Sequence, residues 1–234
     1  VDKESAPSNQ EVPSYVQVVG AVYKNSDPSD IAVTAAGGLV GEVIQVWRPR
    51  ELNTHETEWG FSCMSYEISG ALGIKMANPD KEVISFVGDG SYLLNNTDIY
   101  SSVITNNKLI IIVCDNGGFA VINRLQLFKG GNEYNNLLKS SNTPGLVDVD
   151  FAKHAESMGA KSEHVNSISD LEEAFKRAKK SDVTYVISIK THAYQWLEGS
   201  AFWDSPTLEI PTTKENKEAL KLYKEGKNKQ RQGV

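Results

Sequence analysis

The chain has 234 residues, of which 40% are hydrophobic and 23% are charged, and its formal net charge at pH 7 is −6. This composition fits one or two globular domains with a sizeable core, and the acidic balance argues against a nucleic-acid-binding face, which needs clustered Lys and Arg. The longest unbroken apolar run covers residues 109–114, far short of the roughly 20 residues that span a membrane. The two cysteines, Cys63 and Cys114, form no CxxC pair. Neither a disulfide framework nor a structural zinc site is indicated, and we expect a soluble protein of the reducing cytoplasm.

The first ordered element is predicted to begin near Ser14. Residues 1–13 contain Ser, Pro, Asn, Gln and Glu without a periodic apolar face, which is typical of a linker or of a remnant appended to a domain. The next apolar residues have helical spacing, at i, i+3, i+4, i+7 and i+8: Tyr15, Val18, Val19, Val22 and Tyr23. We expect this period to outweigh the preference of valine for strands.

A strand, a glycine turn and a second helix come next. The short apolar run Ile31–Thr34 leads into the turn Ala36-Gly37-Gly38. The apolar residues from Leu39 to Trp47 then repeat with helical spacing until Pro49 stops the helix.

The same alternation of helix and strand continues along the chain. Two of the predicted helices contain residues 68–76 and 99–103. A third runs from Asp148 or Asp150 to Gly159, and a fourth begins at the capping box Ser169-Asp170-Leu171-Glu172. The predicted strands cover 83–87, 109–114, a short run to 165, and 183–189. Strands that are apolar throughout and separated by helices indicate a parallel sheet covered on both faces. We therefore predict a single doubly wound α/β domain over about residues 14–200, with a mostly parallel sheet and helices on both faces.

Two segments lie outside this pattern. The stretch Phe119–Leu146 has little regular period, and a connection of that length is usually a lid, a binding loop or a mobile segment. Residues 201–234 are predicted to be a C-terminal extension that ends in an exposed helix from Lys214 and a frayed basic tail, because charge runs are usually solvated faces.

Polar motifs come directly after two of the predicted core strands. Asp89 lies between two glycines after one strand, and Asp115–Gly118 comes after the next. Ligands bind at the carboxyl ends of the strands in open parallel sheets, so Asp89 and Asn116 are expected to face each other if the two strands are neighbours. Their oxygens, with a glycine carbonyl, suit Mg²⁺ or Ca²⁺ rather than zinc. The Gly90 backbone and the Ser91 hydroxyl are suitable phosphate donors. Either motif alone would be an ordinary turn, but together they predict a metal-bridged phosphate site.

These motifs have the form of a known signature. Gly88-Asp89-Gly90, followed by 24 residues and then by Asp115-Asn116, resembles the thiamine diphosphate signature of the acetolactate synthase and pyruvate decarboxylase superfamily. The first asparagine of that motif is aspartate here, whereas Asn116 keeps the family's metal-ligand position. The resemblance implies thiamine diphosphate and Mg²⁺ as cofactors, with Mg²⁺ held by Asp89, Asn116 and the backbone carbonyl of Gly118.

Two further segments match the same superfamily. Gly60–Met64 resembles the segment that ends in the bulky residue under the bent cofactor. The resemblance gives Met64 that part and gives the Ser62 carbonyl a hydrogen bond from the aminopyrimidine. Gly37 and Gly38 match the first diphosphate-binding turn. Without the resemblance, Met64 would be core filler and the two glycines an ordinary turn.

The end of the predicted domain narrows the resemblance. The residues concerned are 189–194, Trp196, the pair Phe202-Trp203 and the motif 115–119. They resemble the trihydroxycyclohexane-1,2-dione hydrolases of myo-inositol breakdown, which implies hydrolytic cleavage of a C–C bond in a cyclic 1,2-dione. His192 is either a substrate contact or a structural hydrogen-bonding residue. His55 and Glu56 lack the second histidine of a zinc-protease helix, so they are not predicted to be ligands.

The expected partners follow from the same resemblance, and three alternatives remain beside it. Enzymes of this kind also have a pyrimidine-binding domain, usually from a partner subunit, which supplies the glutamate that activates the cofactor; no catalytic residue is therefore predicted in this chain. The expected partners are that domain, further copies in a homo-oligomer, and a cyclic diketone or 2-oxo acid substrate. The alternatives are an acetolactate synthase-like carboligase or 2-oxo acid decarboxylase, a cofactor-binding subunit of a split enzyme, and a structural α/β protein without a cofactor.

Overall fold

Five of the six described strands lie close to their predicted positions, and all six form one sheet. The computed structural model describes residues 3–6, 12–198 and 207–230. The strands are β1 (Ile31–Thr34), β2 (His55–Thr57), β3 (Val83–Gly88), β4 (Ile110–Asp115), β5 (Lys161–Val165) and β6 (Tyr185–Lys190). They are ordered β2-β1-β3-β4-β6-β5, and every pairing is parallel. The predicted parallel sheet is confirmed.

Nine α-helices are described before, between and after the strands. They are α1 (Tyr15–Asn25), α2 (Gly37–Val46), α3 (Tyr66–Ala77), α4 (Asp89–Leu94), α5 (Asp98–Ile104), α6 (Ala120–Phe128), α7 (Phe151–Ser157), α8 (Ile168–Lys179) and α9 (Lys214–Lys229). No helix in this part of the chain combines the length and apolar character needed to cross a bilayer.

Helices cover the sheet on both faces, as predicted for a doubly wound fold. Ile84 and Phe86 of β3 join a buried cluster with α1, α2 and α8. Their neighbours Val83 and Val87 join a second cluster with α3, α5 and α7. Alternate side chains of a strand point to opposite faces, so a strand buried on both sides is apolar along its whole length. This is why β3 could be predicted from its apolar sequence.

The start of α8 differs from the prediction. Ser167, not Ser169, is the N-cap, and its hydroxyl oxygen accepts a hydrogen bond from the Asp170 backbone N–H at 3.1 Å. Ser169 lies inside the first turn, so the capping box placed at residues 169–172 is wrong. The helix begins earlier because Ile168 packs against the core and extends the apolar face by one turn.

The stretch 119–146 is less irregular than predicted. Its first third forms α6, and a single 3-10 turn covers Leu138–Ser140. Val121 and Leu125 have helical spacing, but the intervening polar residues Asn123 and Arg124 hid the period. Two short elements were also missed. β2 has three residues and α4 has six, which is too short for a period to be recognised in the sequence.

The C-terminal helix α9 was predicted and is present, but it is not fully exposed. Asn216 and Ala219 are buried, and the Asn216 side-chain amide donates to the carbonyl of Gly130 at 2.7 Å. One side of the helix therefore docks onto the corner after α6. The tail 231–234 and the aromatic pair 202–203 lie outside the described residues.

Candidate metal and phosphate site

The two polar motifs meet at one edge of the sheet. β3 and β4 are hydrogen-bonded neighbours, with Gly88 opposite Cys114. Asp89 and Asp115 therefore leave the sheet side by side, at the carboxyl ends of adjacent strands. The predicted adjacency of the two strands is confirmed, and with it the premise on which the candidate site was built.

A cavity of about 340 Å³ opens at this edge. It is lined by the residues that the sequence singled out: Gly37, Gly38, Ser62, Met64, Asp89, Gly90, Ser91, Asn116 and Gly118. Four separate segments of the chain contribute them, from the start of α2, the loop before α3, the start of α4 and the end of β4. The fold thus brings all nine candidate residues to one place.

Asp89 is a buried carboxylate in this cavity wall, with 5% of its surface exposed. One oxygen, Oδ2, accepts a hydrogen bond from the Gly118 backbone N–H at 2.7 Å. Burial, and next the negative charge of Asp115, raise the pKa of the Asp89 carboxyl to about 7, although hydrogen bonds from the Gly118 and Gly90 backbone act in the opposite direction. The ionised form is therefore poorly compensated, and a cation beside it would be strongly attracted.

The neighbouring Asp115, in contrast, already has a cation. Lys190 Nζ lies 2.6 Å from Asp115 Oδ2, and the Gly117 backbone N–H donates to Oδ1 at 3.0 Å. Within the described part of the chain, no Lys, Arg or His forms an ion pair with Asp89. Of the two adjacent acids, Asp89 is thus the one left to bind an external ion.

Asn116 presents an unsatisfied oxygen. Its side-chain nitrogen Nδ2 donates a short hydrogen bond to the hydroxyl oxygen of Tyr15. Its amide oxygen Oδ1 is buried without a hydrogen-bond partner among the described residues. A buried acceptor without a partner costs roughly 1–3 kcal/mol, and a bound metal ion would satisfy it.

Gly118 is required by its backbone. Its φ is +139°, and a Cβ at this position would lie 2.5 Å from the carbonyl oxygen of Asn136. The backbone here pairs with the segment after α6, since the Phe119 N–H donates to Asn136 O at 2.7 Å. A side chain would strain this approach. The glycine therefore lets residues 117–119 curve around Asp89.

The glycines of the other segments line the cavity closely. Gly37 has a φ of +81° and begins α2, and added Cβ atoms on Gly37 and Gly38 would lie 3.8 Å and 3.6 Å from Val121. An added Cβ on Gly90 would lie 2.6 Å from the Phe119 ring and 3.5 Å from the methyl group of Met64. With glycine at position 90, the Phe119 ring and the Met64 methyl group lie directly over the α4 backbone.

The loop that carries Ser62 and Met64 is shaped by Glu58. The two carboxylate oxygens of Glu58 accept hydrogen bonds from the backbone N–H groups of Phe61, at 2.9 Å, and Cys63, at 2.6 Å. Ser62 has a φ of +51°, so the chain turns sharply between those two donors. This turn directs Met64 into the cavity wall.

Sequence reasoning missed the remaining wall. α6 contributes Val121, Ile122 and Leu125, and α1 contributes Tyr15. The four-residue spacing from Val121 to Leu125 was a usable signal for α6. Nothing local to Tyr15 indicates its position, because its contact with Asn116 spans 101 positions of sequence.

The predicted role of His192 remains untested, and the histidine lies beside the main cavity rather than in it. It lines an adjoining space of about 20 Å³. Its backbone N–H donates to Pro13 O at 2.8 Å, and its ring nitrogen Nδ1 accepts from the Tyr194 N–H at 3.1 Å. These bonds favour a structural role.

His55 lies in β2 and contacts Thr57 Oγ1 at 3.0 Å. Across residues 3–6, 12–198 and 207–230, no three His, Cys, Asp or Glu side chains converge as metal ligands, so a metal here would depend on amide and carbonyl oxygens as well as Asp89.

Comparisons with known proteins identify a family and several relatives that this chain resembles. Residues 35–189 match the model of the family described as "Thiamine pyrophosphate enzyme, C-terminal TPP binding domain". Similar curated proteins are 3D-(3,5/4)-trihydroxycyclohexane-1,2-dione hydrolases from Bacillus licheniformis, Lacticaseibacillus casei and Bacillus subtilis, at 36%, 37% and 34% identity over 87%, 89% and 83% of this chain. The chain spans 30–32% of the length of these relatives.

Solved structures show the same fold. A thiamine diphosphate-dependent 4-hydroxybenzoylformate decarboxylase from Rhodococcus jostii RHA1 superposes with a TM-score of 0.68 at 22% identity, covering 80% of this chain and 34% of that one. A benzoylformate decarboxylase from Polynucleobacter necessarius gives a TM-score of 0.66 at 21% identity, covering 78% and 34%. At this identity the similarity establishes the fold alone.

Proposed function

The chain belongs to the thiamine pyrophosphate enzymes, as their C-terminal TPP-binding domain, and from this premise we propose that it anchors thiamine diphosphate through Mg²⁺ at the carboxyl ends of β3 and β4. The observation that carries the proposal concerns two buried groups on one cavity. Among the residues that the structure describes, Asp89 has no ion-pair partner and Asn116 Oδ1 has no hydrogen-bond partner. Hard oxygen donors of this kind suit Mg²⁺, which keeps positions open for substrate phosphates. Asp89, Asn116 and the Gly118 carbonyl would hold the ion.

The remaining candidate residues fit the diphosphate and the ring system of the cofactor. Gly37, Gly38, Gly90 and Ser91 would face the diphosphate with backbone N–H groups and a hydroxyl, because glycines allow close approach. Met64 and the Ser62 carbonyl would support the ring system. When bound, thiamine diphosphate supplies a nucleophilic carbon and an electron sink for cleavage of a bond beside a carbonyl. The chain itself would hold and orient it, and the apolar side chains of α6 would exclude water.

For the parent protein we propose hydrolytic C–C cleavage of a cyclic 1,2-dione in myo-inositol catabolism. The names and identities of the relatives support this proposal, although the chain spans only about a third of them. The cofactor domain would cover about residues 14–200. A pyrimidine-binding domain would supply the activating glutamate, and the assembly would be a homo-oligomer, at least a dimer. A cytoplasmic location is supported by the two free cysteines.

The anchor is tested by thermal melting of the chain with Mg²⁺ and thiamine diphosphate, added separately and together. We expect stabilisation only by the pair, about 2.7 kcal/mol when the cofactor is at a hundred times its Kd. Asp89→Ala should abolish that gain, whereas Asp80→Ala, at an exposed acid distant from the cavity, should retain it. An Asp89→Ala variant that gains as much as the wild type would refute the ligand assignment.

The substrate is tested on the whole enzyme that contains this chain. We expect it to consume trihydroxycyclohexane-1,2-dione and to release an open-chain acid. If it leaves the dione unchanged and makes acetolactate from pyruvate, the carboligase alternative is correct.

A further inference from the structure

One side chain outside the predicted site holds a predicted metal ligand. The hydroxyl oxygen of Tyr15 accepts the short hydrogen bond from Asn116 Nδ2. Tyr15 also lines the cavity that contains Asp89 and Asn116. An added Cβ on Gly88 would lie 3.9 Å from the Tyr15 hydroxyl, so the phenol end rests against the turn from which Asp89 emerges.

The position of Tyr15 is firmly set by its helix. It is the first residue of α1, directly after an N-cap at which Ser14 and Gln17 form a reciprocal capping box: the Gln17 N–H donates to Ser14 Oγ at 3.4 Å, and the Ser14 N–H to Gln17 Oε1 at 2.9 Å. Its ring packs against the buried cluster between α1, α2 and the sheet. Burial, and next the neighbouring Cys114 and Asp89, raise the pKa of Tyr15 well above its ordinary value. The side chain is a fixed, neutral phenol.

The orientation of the Asn116 amide decides what it can bind. An asparagine side chain offers an oxygen acceptor at one end and an NH₂ donor at the other. With Nδ2 bound to Tyr15, Oδ1 is buried and has no hydrogen-bond partner in the described ranges of the chain. The carboxylates of Asp89 and Asp115 nearby would attract the NH₂ end if it were released, which would turn the oxygen away from a metal.

We propose that Tyr15 is a positioning residue that keeps the amide oxygen of Asn116 directed to the divalent cation. The inference rests on the proposed function, since it assigns a partner to one of the proposed Mg²⁺ ligands. Mutation of a group that hydrogen-bonds to a metal ligand and orients it typically lowers the affinity for the metal 10–100-fold. Nothing in the local sequence around Tyr15 indicates this role, which emerges only from the fold.

The test is the affinity of the full chain for Mn²⁺, a paramagnetic stand-in for Mg²⁺, measured by electron paramagnetic resonance at saturating thiamine diphosphate. We expect Tyr15→Phe to weaken Mn²⁺ binding about 10-fold and to leave the far-ultraviolet circular dichroism spectrum unchanged. The matched control is Tyr23→Phe, which removes a hydroxyl two turns later on the same helix, where the ring packs against Trp47 away from the cavity. The control should bind Mn²⁺ as the wild type does.

A second background separates orientation from packing. In Asn116→Asp, either carboxylate oxygen can bind the ion, so orientation no longer matters. Adding Tyr15→Phe to Asn116→Asp should therefore change Mn²⁺ affinity less than about 2-fold, and the two changes should be non-additive. A similar loss in both backgrounds means that Tyr15 acts through packing, and it overturns the inference.

The failures of the two proposals are distinguishable. If the wild type binds Mn²⁺ with thiamine diphosphate and Tyr15→Phe binds equally well, the role of Tyr15 is wrong and the anchor stands. If the wild type binds no Mn²⁺ in the presence of thiamine diphosphate, the anchor is wrong and the role of Tyr15 falls with it.

Discussion

The charge on Asp89 links the candidate cofactor site to the stability of the fold. The folded pKa is about 7 against an ordinary value of 3.8. Between these values the folded state binds more protons than the unfolded state, so stability falls as the pH rises through this window. A difference of about three units corresponds to up to about 4 kcal/mol. The metal-free protein would carry this destabilisation at neutral pH, as binding sites for cations commonly do.

We therefore expect Asp89→Asn to be more stable than the wild type at pH 8 without metal, by up to about 4 kcal/mol, and equally stable near pH 4. The amide keeps an oxygen that can accept from the Gly118 N–H but carries no charge. Urea unfolding at a series of pH values measures the difference between the two proteins. A difference that does not vary between pH 4 and pH 8 contradicts the raised pKa.

At the scale of single residues, sequence patterns predicted the side chains that leave a strand directly and missed those that arrive from distant segments. Asp89 and Asn116 were predicted because each leaves a core strand at the ligand-binding edge of a parallel sheet. Tyr15 and Lys190 also shape the site, but they reach it from afar through Asn116 and Asp115. Such contacts depend on helix docking and strand order, which local patterns do not specify.

At the scale of elements, residues 191–198 form a strap across α2 and α6. The Leu197 N–H donates to Glu42 Oε1 at 2.8 Å, and the Arg124 guanidinium lies 4.3 Å from the centre of the Trp196 ring. α2 begins at the Gly37 turn, and α6 forms a cavity wall. The strap thus ties together two elements that line the cavity.

Substitutions of Glu42 can show how far its hydrogen bond to Leu197 holds the strap in place. Its carboxyl is buried, its Oε2 has no partner in the described part of the chain, and burial raises its pKa. Glu42→Gln keeps an oxygen for the Leu197 N–H and removes the buried charge, whereas Glu42→Ala removes the acceptor. We expect the alanine variant to be less stable than the glutamine variant by about 1–3 kcal/mol.

Hydrogen exchange at Leu197 is the accompanying measurement. The amide should exchange faster in Glu42→Ala than in Glu42→Gln, because only the glutamine variant keeps an acceptor for it. Equal exchange in both variants means that the strap is held by Trp196 and its neighbours rather than by Glu42.

The element-level prediction succeeded for long periodic segments and failed for short or mixed ones. α1 was predicted despite its valines because five apolar residues share one helical face, and β3 and β4 because they are buried on both sides. α6 was missed because the polar residues Asn123 and Arg124 interrupt its apolar spacing, and its apolar residues Val121 and Leu125 line the cavity. The cap of α8 was misplaced because Ser167 and Ser169 are both plausible caps and only the docking of Ile168 chooses between them.

At the scale of the whole molecule, apolar surface is exposed beside the cavity. Phe61 is 91% exposed and Trp59 is 64% exposed, and both lie on the loop that also carries Ser62 and Met64. Glu58 holds the backbone of this loop in place, so the two rings are presented on a defined turn. Exposed aromatic groups next to a binding site commonly mark an interaction surface. This exposure could not be predicted from sequence, because aromatic residues between two predicted helices could equally be core.

We expect this loop to contribute to association of the chain with itself in solution, as the proposed homo-oligomer requires. A double variant that carries Trp59→Ser and Phe61→Ser should associate more weakly, because it lacks the apolar surface that association buries. Glu58 is unchanged in this variant and should still hold the backbone of the loop. Sedimentation velocity over a concentration series measures it, with Leu52→Ser, at a residue 89% exposed outside this loop, as the control. A wild-type chain that sediments as a monomer throughout contradicts self-association. If the double variant associates as strongly as the wild type, the interface lies elsewhere on the chain. The Mn²⁺ affinity of the double variant shows whether the altered loop still supports the cofactor site.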